Sequence, residues 1–356
     1  MRQRLQFCTS ADGTRIAIAS IGRGPPLVRA AHWLSHVEFD LESPVWSPWL
    51  QALADQNTYI RYDQRGCGLS DREVTDFSLD AWVSDLEAVV DTLGLERFPL
   101  LGMSQGGAVA ISYAHRHPEN VSRLILVGAY ARGALRRGGG AAERLEAETL
   151  VNLIRVGWAR DNPTFRNVFG QRFLPAGTPE QHRWWHDLER ITASPEVAAR
   201  TLEAFQMVEV SQLAAQLRLP ALIMHSRGDA AVPFEEGRHL TALIPEARFV
   251  PLESDNHIIL QSEPAWAKFL AELRAFLGQN APRSGGRPTG PRTGLTAAEA
   301  DVLAYLVQGL GNRTIAERLG KSEKTVRNQV SAILNKLGVH TRAEAIVRAQ
   351  DLTTGQ

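Results

Sequence analysis

Short apolar runs alternate with stretches of helical periodicity through most of the chain. Residues 5–8 and 14–19 alternate apolar and polar positions on either side of Asp12-Gly13, the pattern of a hairpin. Compact apolar runs at 27–31, 59–62, 99–103 and 121–127 predict strands, and 78–93 and 108–115 predict the helices between them. The rhythm resumes at 221–225 and continues through 234–243, 248–252 and 265–277. Alternation of this kind predicts an α/β fold, a mostly parallel sheet covered by helices.

Two segments break the rhythm. Residues 131–212 are poor in strand patterns and carry Trp158, Phe165, Phe169, Phe173, Trp184, Trp185, Phe205 and Met207, as an inserted helical cap would. Most of these side chains are expected to form the cap's own core, with a few facing a ligand cleft between cap and body. From 278 to 294, 8 of 17 residues are Gly or Pro, which predicts a flexible linker. The expected organisation is a body over 1–277, the linker over 278–294, and a small all-α domain over 295–351.

Charge supports that division. The formal net charge is zero, yet residues 283–351 hold 11 Lys/Arg against 6 Asp/Glu, so a basic tail follows an acidic body. A basic tail suits a polyanionic partner. The chain has 2 cysteines, Cys8 and Cys67, without metal-ligand spacing, which argues for a reducing compartment and against a disulfide framework or a zinc site. No signal-peptide core and no run of membrane length occur, so a cytoplasmic protein without membrane partner, metal or cofactor is expected.

The candidate chemistry centres on Gly102-Met103-Ser104-Gln105-Gly106. A serine attacks a carbonyl only when a base takes its proton and an acid orients that base. Ser104 sits where an apolar strand turns sharply into a helix, flanked by glycines because larger side chains would clash at such a corner. The helix opening at Gly107-Ala108 offers amides to a developing negative charge. Asp229 follows the strand at 221–224, whereas no carboxylate follows the preceding strand at Gly128-Ala129-Tyr130. His257 lies after the last strand, completing the order Ser, Asp, His. His225 falls inside a strand pattern, His115 and His117 end a helix, and His32 follows the first long apolar strand. Those four are weaker candidates.

With these residues, 5–277 resembles an α/β-hydrolase, and Tyr62-Asp63-Gln64-Arg65-Gly66-Cys67-Gly68-Leu69-Ser70 matches that family's Asp-x-Arg-Gly-x-Gly-x-Ser turn. The resemblance implies catalysis by Ser104, Asp229 and His257, with the amides of Trp33 and Gln105 forming the oxyanion hole. Where the family usually has His-Gly at the strand exit, this chain has Ala31-His32. Asp63 and Arg65 read as loop scaffolding.

In the tail, Thr296 with Glu299 and Thr341 with Glu344 have the spacing of capping boxes, and Asn312 and Ser322 are placed to cap two further helices. Over 323–337, Val326, Val330, Ile333, Leu334 and Leu337 form an apolar stripe. Lys324, Arg327, Asn328, Ser331 and Asn335 form the opposite face, suited to phosphates and base edges. The segment resembles the LuxR-type helix-turn-helix, through Ile315-Ala316-Glu317-Arg318-Leu319-Gly320 and Ser322-Glu323-Lys324-Thr325-Val326-Arg327. It departs from that family at Ala298, where arginine is usual, and at Gln329, where histidine is frequent. The resemblance implies double-stranded DNA as partner, contacts from Lys324, Thr325, Arg327, Asn328 and Ser331, and a homodimer formed through the last helix near 342–349.

Together these patterns predict a DNA-binding transcriptional regulator whose hydrolase domain senses, and hydrolyses, a small ester or lactone. The alternatives are a metabolic serine esterase with an accessory DNA-binding tail, and a receptor whose hydrolase-like site only binds. No residue pattern names the ligand, the operator or the sign of regulation.

Overall fold

Strands in this chain are short because each crosses one sheet, and their burial follows their place in it. A computed structural model describes residues 2–279 apart from 159, 161 and 162, and residues 297–346 apart from 308, 309, 338, 340 and 343. The chain divides after residue 281 into two compact units. The first holds an eight-stranded sheet of order β1-β2-β4-β3-β5-β6-β7-β8. β1 (Arg4–Thr9) and β2 (Arg15–Gly22) form the expected hairpin at the antiparallel edge, and the amide of Thr14 donates to the Asp12 side chain in its turn.

Parallel pairing runs from β4 (Thr58–Tyr62) through β3 (Pro26–Arg29), β5 (Phe98–Met103), β6 (Val121–Val127) and β7 (Ala221–Ser226) to β8 (Ala247–Leu252). Helices cover both faces of the central strands, so β5 and β7 read as continuous apolar runs rather than alternating ones. Register slips between Phe98 and Pro99, where proline has no N–H for the ladder.

The covering helices are α1 (Trp46–Ala54), α2 (Leu79–Leu93) and α3 (Gly106–Arg116), and, after the insertion, α8 (Ser211–Gln216), α9 (Phe234–Leu243) and α10 (Pro264–Phe276). Between β6 and β7 the chain departs into α4 (Ala141–Gly157), α5 (Pro163–Phe173), α6 (Pro179–Thr192) and α7 (Pro195–Gln206), the helical cap. α6 starts on a full capping box of Thr178 and Gln181, and α7 on Ser194, whose hydroxyl accepts from the Val197 amide. Aromatic contacts join this insertion to the sheet unit: Trp184 stacks on Phe39 at 5.2 Å, and Phe205 meets Trp82 at 4.4 Å.

The second unit contains α11 (Ala297–Val307), α12 (Asn312–Leu319) and α13 (Glu323–Leu337) around Val302, Leu306, Ile315, Val326 and Ile333. Residue 280 onward in the Gly/Pro-rich segment, Thr296, and residues 347–349 of the expected dimer helix lie outside the described residues.

Candidate functional site

Ser104 occupies the corner between β5 and α3 with φ of 52°. Among the described residues only Leu34 shares a positive φ without being glycine. A serine there is strained, and backbone strain collects where a side chain must be presented rather than packed. The corner is held by the Ser104 amide donating to the Val127 carbonyl and the Gly107 amide donating to the Ser104 carbonyl, both at 3.0 Å. A Cβ at Gly102 would lie 2.7 Å from the Gly107 Cα, and one at Gly106 would lie 2.8 Å from the Ala31 carbonyl oxygen.

Asp229 and His257 arrive from the loops after β7 and β8. Asp229 Oδ1 accepts the amides of Ala231 and Val232, each at 2.9 Å, which leaves Oδ2 to face His257 Nδ1 at 2.7 Å. Burial pushes the Asp229 carboxyl up, but the facing His257 and the Val232 amide more than reverse this, so it stays below the usual carboxylate range. His257 Nδ1 therefore donates, and its buried Nε2 has no protein partner among the described residues. Ser104 and His257 line one cavity of about 530 Å³. With Nδ1 engaged by Asp229, the unpartnered Nε2 is the nitrogen left for a proton taken within the cavity that Ser104 also lines, the orientation general-base chemistry requires.

Trp33 and Gln105 line the same cavity, and among the described residues neither of their amides donates a hydrogen bond. Leu34, with φ of 60°, turns the loop behind Trp33. His32, ambiguous from sequence, donates from Nδ1 to the Trp33 carbonyl at 2.8 Å and packs on Trp46 at 5.0 Å. Burial and nearby Arg29 hold its pKa well below the usual histidine range, so it is a neutral brace for the loop. His225 is buried within β7 and bonds the Val232 carbonyl at 3.0 Å, 3.5 Å from Asp229 Oδ2. His117 ends α3 and meets Glu87 at 2.8 Å.

Asp63 and Arg65 stand apart from the cavity wall. Asp63 accepts the amides of Val37 and Leu69 at 2.9 Å, and Arg65 grips Asp85 through Nε and Nη2 at 2.8 and 2.7 Å. Of the cap aromatics, Phe169, Phe173, Trp185 and Phe205 reach the cavity, while Trp158 and Trp184 pack within the unit. Met207 is exposed.

Sequence reasoning did not single out three residues that position His257. Gly128 has φ of 54°, and a Cβ there would sit 3.0 Å from His257 Cε1 and 3.1 Å from Nδ1. Glu263 at the start of α10 accepts the Leu260 amide at 2.6 Å and the Asn256 amide group at 2.7 Å. Asn256 in turn accepts the Ala176 amide at 2.9 Å, and the His257 amide donates to the Phe173 carbonyl at 3.0 Å. The histidine loop is thus tied to the cap. A glycine directly after a strand and an acid following Ser-Asp-Asn-His were the available signals.

In the second unit, α12 ends at Gly320 with φ of 61°, and the Lys321 amide closes onto the Ala316 carbonyl at 2.9 Å. Ser322 then caps α13, accepting the Thr325 amide at 3.1 Å. This three-residue turn sets two helices in helix-turn-helix sequence. Val326 and Ile333 are buried, with Val330 and Leu334 partly so, while Lys324, Thr325, Arg327, Asn328 and Ser331 are exposed. The expected cap at Asn312 is corrected. Gly311, extended at φ −68° and ψ 158°, is the cap residue, and Asn312 is the first helical residue. Its side chain instead accepts from Arg342 at 3.1 Å. The Glu344 amide donates to the Thr341 hydroxyl at 3.2 Å. No described helix is long and apolar enough to cross a membrane.

The family model for the alpha/beta hydrolase fold matches residues 39–264, and that for bacterial regulatory proteins of the luxR family matches residues 293–349. The chain is 29% identical over 257 residues to the AB hydrolase superfamily protein YisY of Bacillus subtilis (strain 168), covering 70% of this chain and 91% of that protein. It is 26% identical over 355 residues to the uncharacterized protein Rv2715 of Mycobacterium tuberculosis (strain ATCC 25618 / H37Rv), covering 95% and 94%. Among solved structures it is similar to an esterase from Exiguobacterium antarcticum, with 26% identity and a TM-score of 0.64 over 77% of this chain and 99% of that one.

Proposed function

We propose, for a chain that belongs to the alpha/beta hydrolase fold family and ends in a LuxR-type DNA-binding domain, that it is a cytoplasmic transcriptional regulator which binds and hydrolyses a small ester or lactone. The observation that carries the reading is the convergence on one cavity of a serine with positive φ and a histidine whose Nδ1 is fixed 2.7 Å from a buried carboxylate. Ser104 Oγ attacks the carbonyl carbon while His257 Nε2 takes its proton, and Asp229 holds the imidazole and stabilises its charged form. The free amides of Trp33 and Gln105 receive the oxyanion. His257 then returns the proton to the leaving alkoxide, and water attacking the acyl-serine releases the acid. The similarity to an esterase of known structure supports the hydrolytic half, and the full-length similarity to Rv2715 supports treating the two units as one protein.

The regulatory half rests on the exposed polar face of α13, with Lys324, Thr325, Arg327, Asn328 and Ser331 contacting DNA as the protein dimerises. Ligand regulates only if it binds the DNA-competent and incompetent states with different affinity. The test uses the full chain. A fluorophosphonate probe is expected to label wild type at Ser104 and not Ser104→Ala, with aryl-ester hydrolysis lost by several orders of magnitude in the variant. Equal labelling of both proteins refutes the nucleophile. Duplexes selected from a random pool are then titrated with labelled and unlabelled protein. Unchanged affinity with the pocket occupied would leave an esterase with an independent DNA-binding tail.

A further inference from the structure

Hydrolysis of a neutral ester does not call for the charges in the wall of the cavity. Besides the site residues, the wall includes Arg137, Arg172, Glu143 and Glu146. Arg172 donates to Glu146 at 3.1 Å, so those two are matched. The buried Glu236, behind the wall, holds Arg132 at 2.7 Å and stands 3.9 Å from Arg137 Nε. Arg137 is different. Its Nε is fixed on the Arg132 carbonyl at 3.0 Å, and its guanidinium carbon lies 5.3 Å from the centre of the Tyr130 ring. Its terminal nitrogens have no hydrogen-bond acceptor among the described residues, although the side chain is only 20% exposed. The hydroxyl of Tyr130, also in the wall, has no partner there either. Glu143 is exposed in the first turn of α4, where water solvates it, and it makes no ion pair with Arg137 within 4.0 Å.

An anchored guanidinium with two unused terminal NH2 groups is a planar fork of fixed orientation, the geometry that receives a carboxylate. The one buried carboxylate of Glu236 faces the guanidinium groups of both Arg132 and Arg137, so their partial removal from water leaves one positive charge that a bound anion would compensate. We propose that the ligand taken over Ser104 carries a carboxylate, received by the terminal nitrogens of Arg137 with the Tyr130 hydroxyl as a further donor. The substrate class is then a monoester of a dicarboxylic acid, or a lactone bearing a carboxylate. This rests on the hydrolase reading of the same cavity, and it assigns Arg137 to specificity rather than to the chemical step.

The test compares p-nitrophenyl pentanoate with mono-p-nitrophenyl glutarate on full-length wild type, Arg137→Met and Arg137→Lys. Wild type is expected to favour the glutarate monoester in kcat/KM. In Arg137→Met the ratio of charged to neutral ester is expected to fall roughly ten- to hundredfold, mostly through KM, with partial recovery in Arg137→Lys. Equal losses on both esters would make Arg137 structural and overturn the proposal. So would a wild-type preference for the neutral ester or for a cationic choline ester, the latter pointing to Glu143. A binding arm separates this from the hydrolase reading: glutarate is titrated calorimetrically into Ser104→Ala with and without Arg137→Met. Saturable binding lost with Arg137 sustains the carboxylate site even where no ester turns over. Absence of glutarate binding, alongside normal fluorophosphonate labelling of wild type, overturns the site and leaves the hydrolase intact.

Discussion

Gly128→Ala tests whether the backbone after β6 is shaped to admit His257. Two costs follow from the geometry. At φ of 54° any side chain is strained, by roughly 1–2 kcal/mol. The new Cβ would also stand 3.0 and 3.1 Å from two atoms of the imidazole, so the ring must retreat by a few tenths of an ångström from its place against Asp229. A misplacement of about 1 Å at a reacting group costs on the order of a hundredfold in rate, so a shift of this size is expected to slow Ser104 labelling by about three- to tenfold. Gly94→Ala is the matched control, because Gly94 ends α2 at φ of 60° with nothing within 4 Å of its added Cβ. Both variants are expected to lower the melting temperature of the larger unit by about 2–6 °C, whereas only Gly128→Ala slows fluorophosphonate labelling. Equal labelling rates in the two variants, or an unslowed Gly128→Ala, would show that the glycine serves the backbone alone.

Arg327→Ala is expected to weaken binding of the full chain to a selected duplex by roughly 1–3 kcal/mol in a mobility-shift titration, and no change would remove α13 as the reader. Arg327 now bonds Glu323 at 3.3 Å on the exposed face, so Glu323→Gln is expected to tighten binding several-fold by freeing it, and weaker binding would assign Glu323 a direct contact. Burial pushes the Glu189 carboxyl up to about 7, with His186 pulling against it from 3.8 Å. The folded unit therefore holds more protons than the unfolded chain between the ordinary glutamate value of 4.5 and about 7, and stability from this group is lost as pH rises through that window. Glu189→Gln is expected to remove that loss, on the order of 1–3 kcal/mol, in denaturant unfolding followed from pH 5 to 8; a parallel slope in the variant contradicts the assignment.

The placement of Ser104, Asp229 and His257 around one cavity was legible in the sequence because the constraints on it are local. Glycines two residues either side of Ser104 declare a corner that excludes side chains, and Asp229 and His257 follow their strands by a few residues, so the strand pattern locates them. What positions those residues was less visible. α1 was missed although Trp46, Trp49, Leu50 and Leu53 have helical spacing, and the Ser43 hydroxyl accepts the Val45 and Trp46 amides at 3.0 and 2.8 Å ahead of it. A proline at 48 and the tryptophans obscured a pattern that propensity alone would not supply. Glu263 and Gly128 act on His257 from other elements, and no periodicity encodes a contact across the sheet. The Asn312 cap failed by one residue, because Gly311 adopts the extended conformation a cap needs and leaves Asn312 helical.

Under the proposed function, hydrolysis and sensing would impose different demands on Ser104, and the balance between them would decide what the DNA-binding unit reports. A ligand held without reaction shifts the protein's equilibrium by its differential affinity, and the operator must affect ligand affinity equally in return. A ligand that acylates Ser104 escapes that reciprocity. Its signal lasts until water reaches the ester, so the regulator would report the lifetime of the acyl-serine. If deacylation is fast, occupancy follows KM, which rises with turnover, and the response threshold moves above the binding constant. The two regimes separate in one comparison. A non-hydrolysed ligand on Ser104→Ala measures the reversible coupling, and a phosphonate on wild-type Ser104 measures the covalent state. Coupling confined to the phosphonate would make acylation the switch, and equal coupling in both would make turnover the means by which the signal is ended.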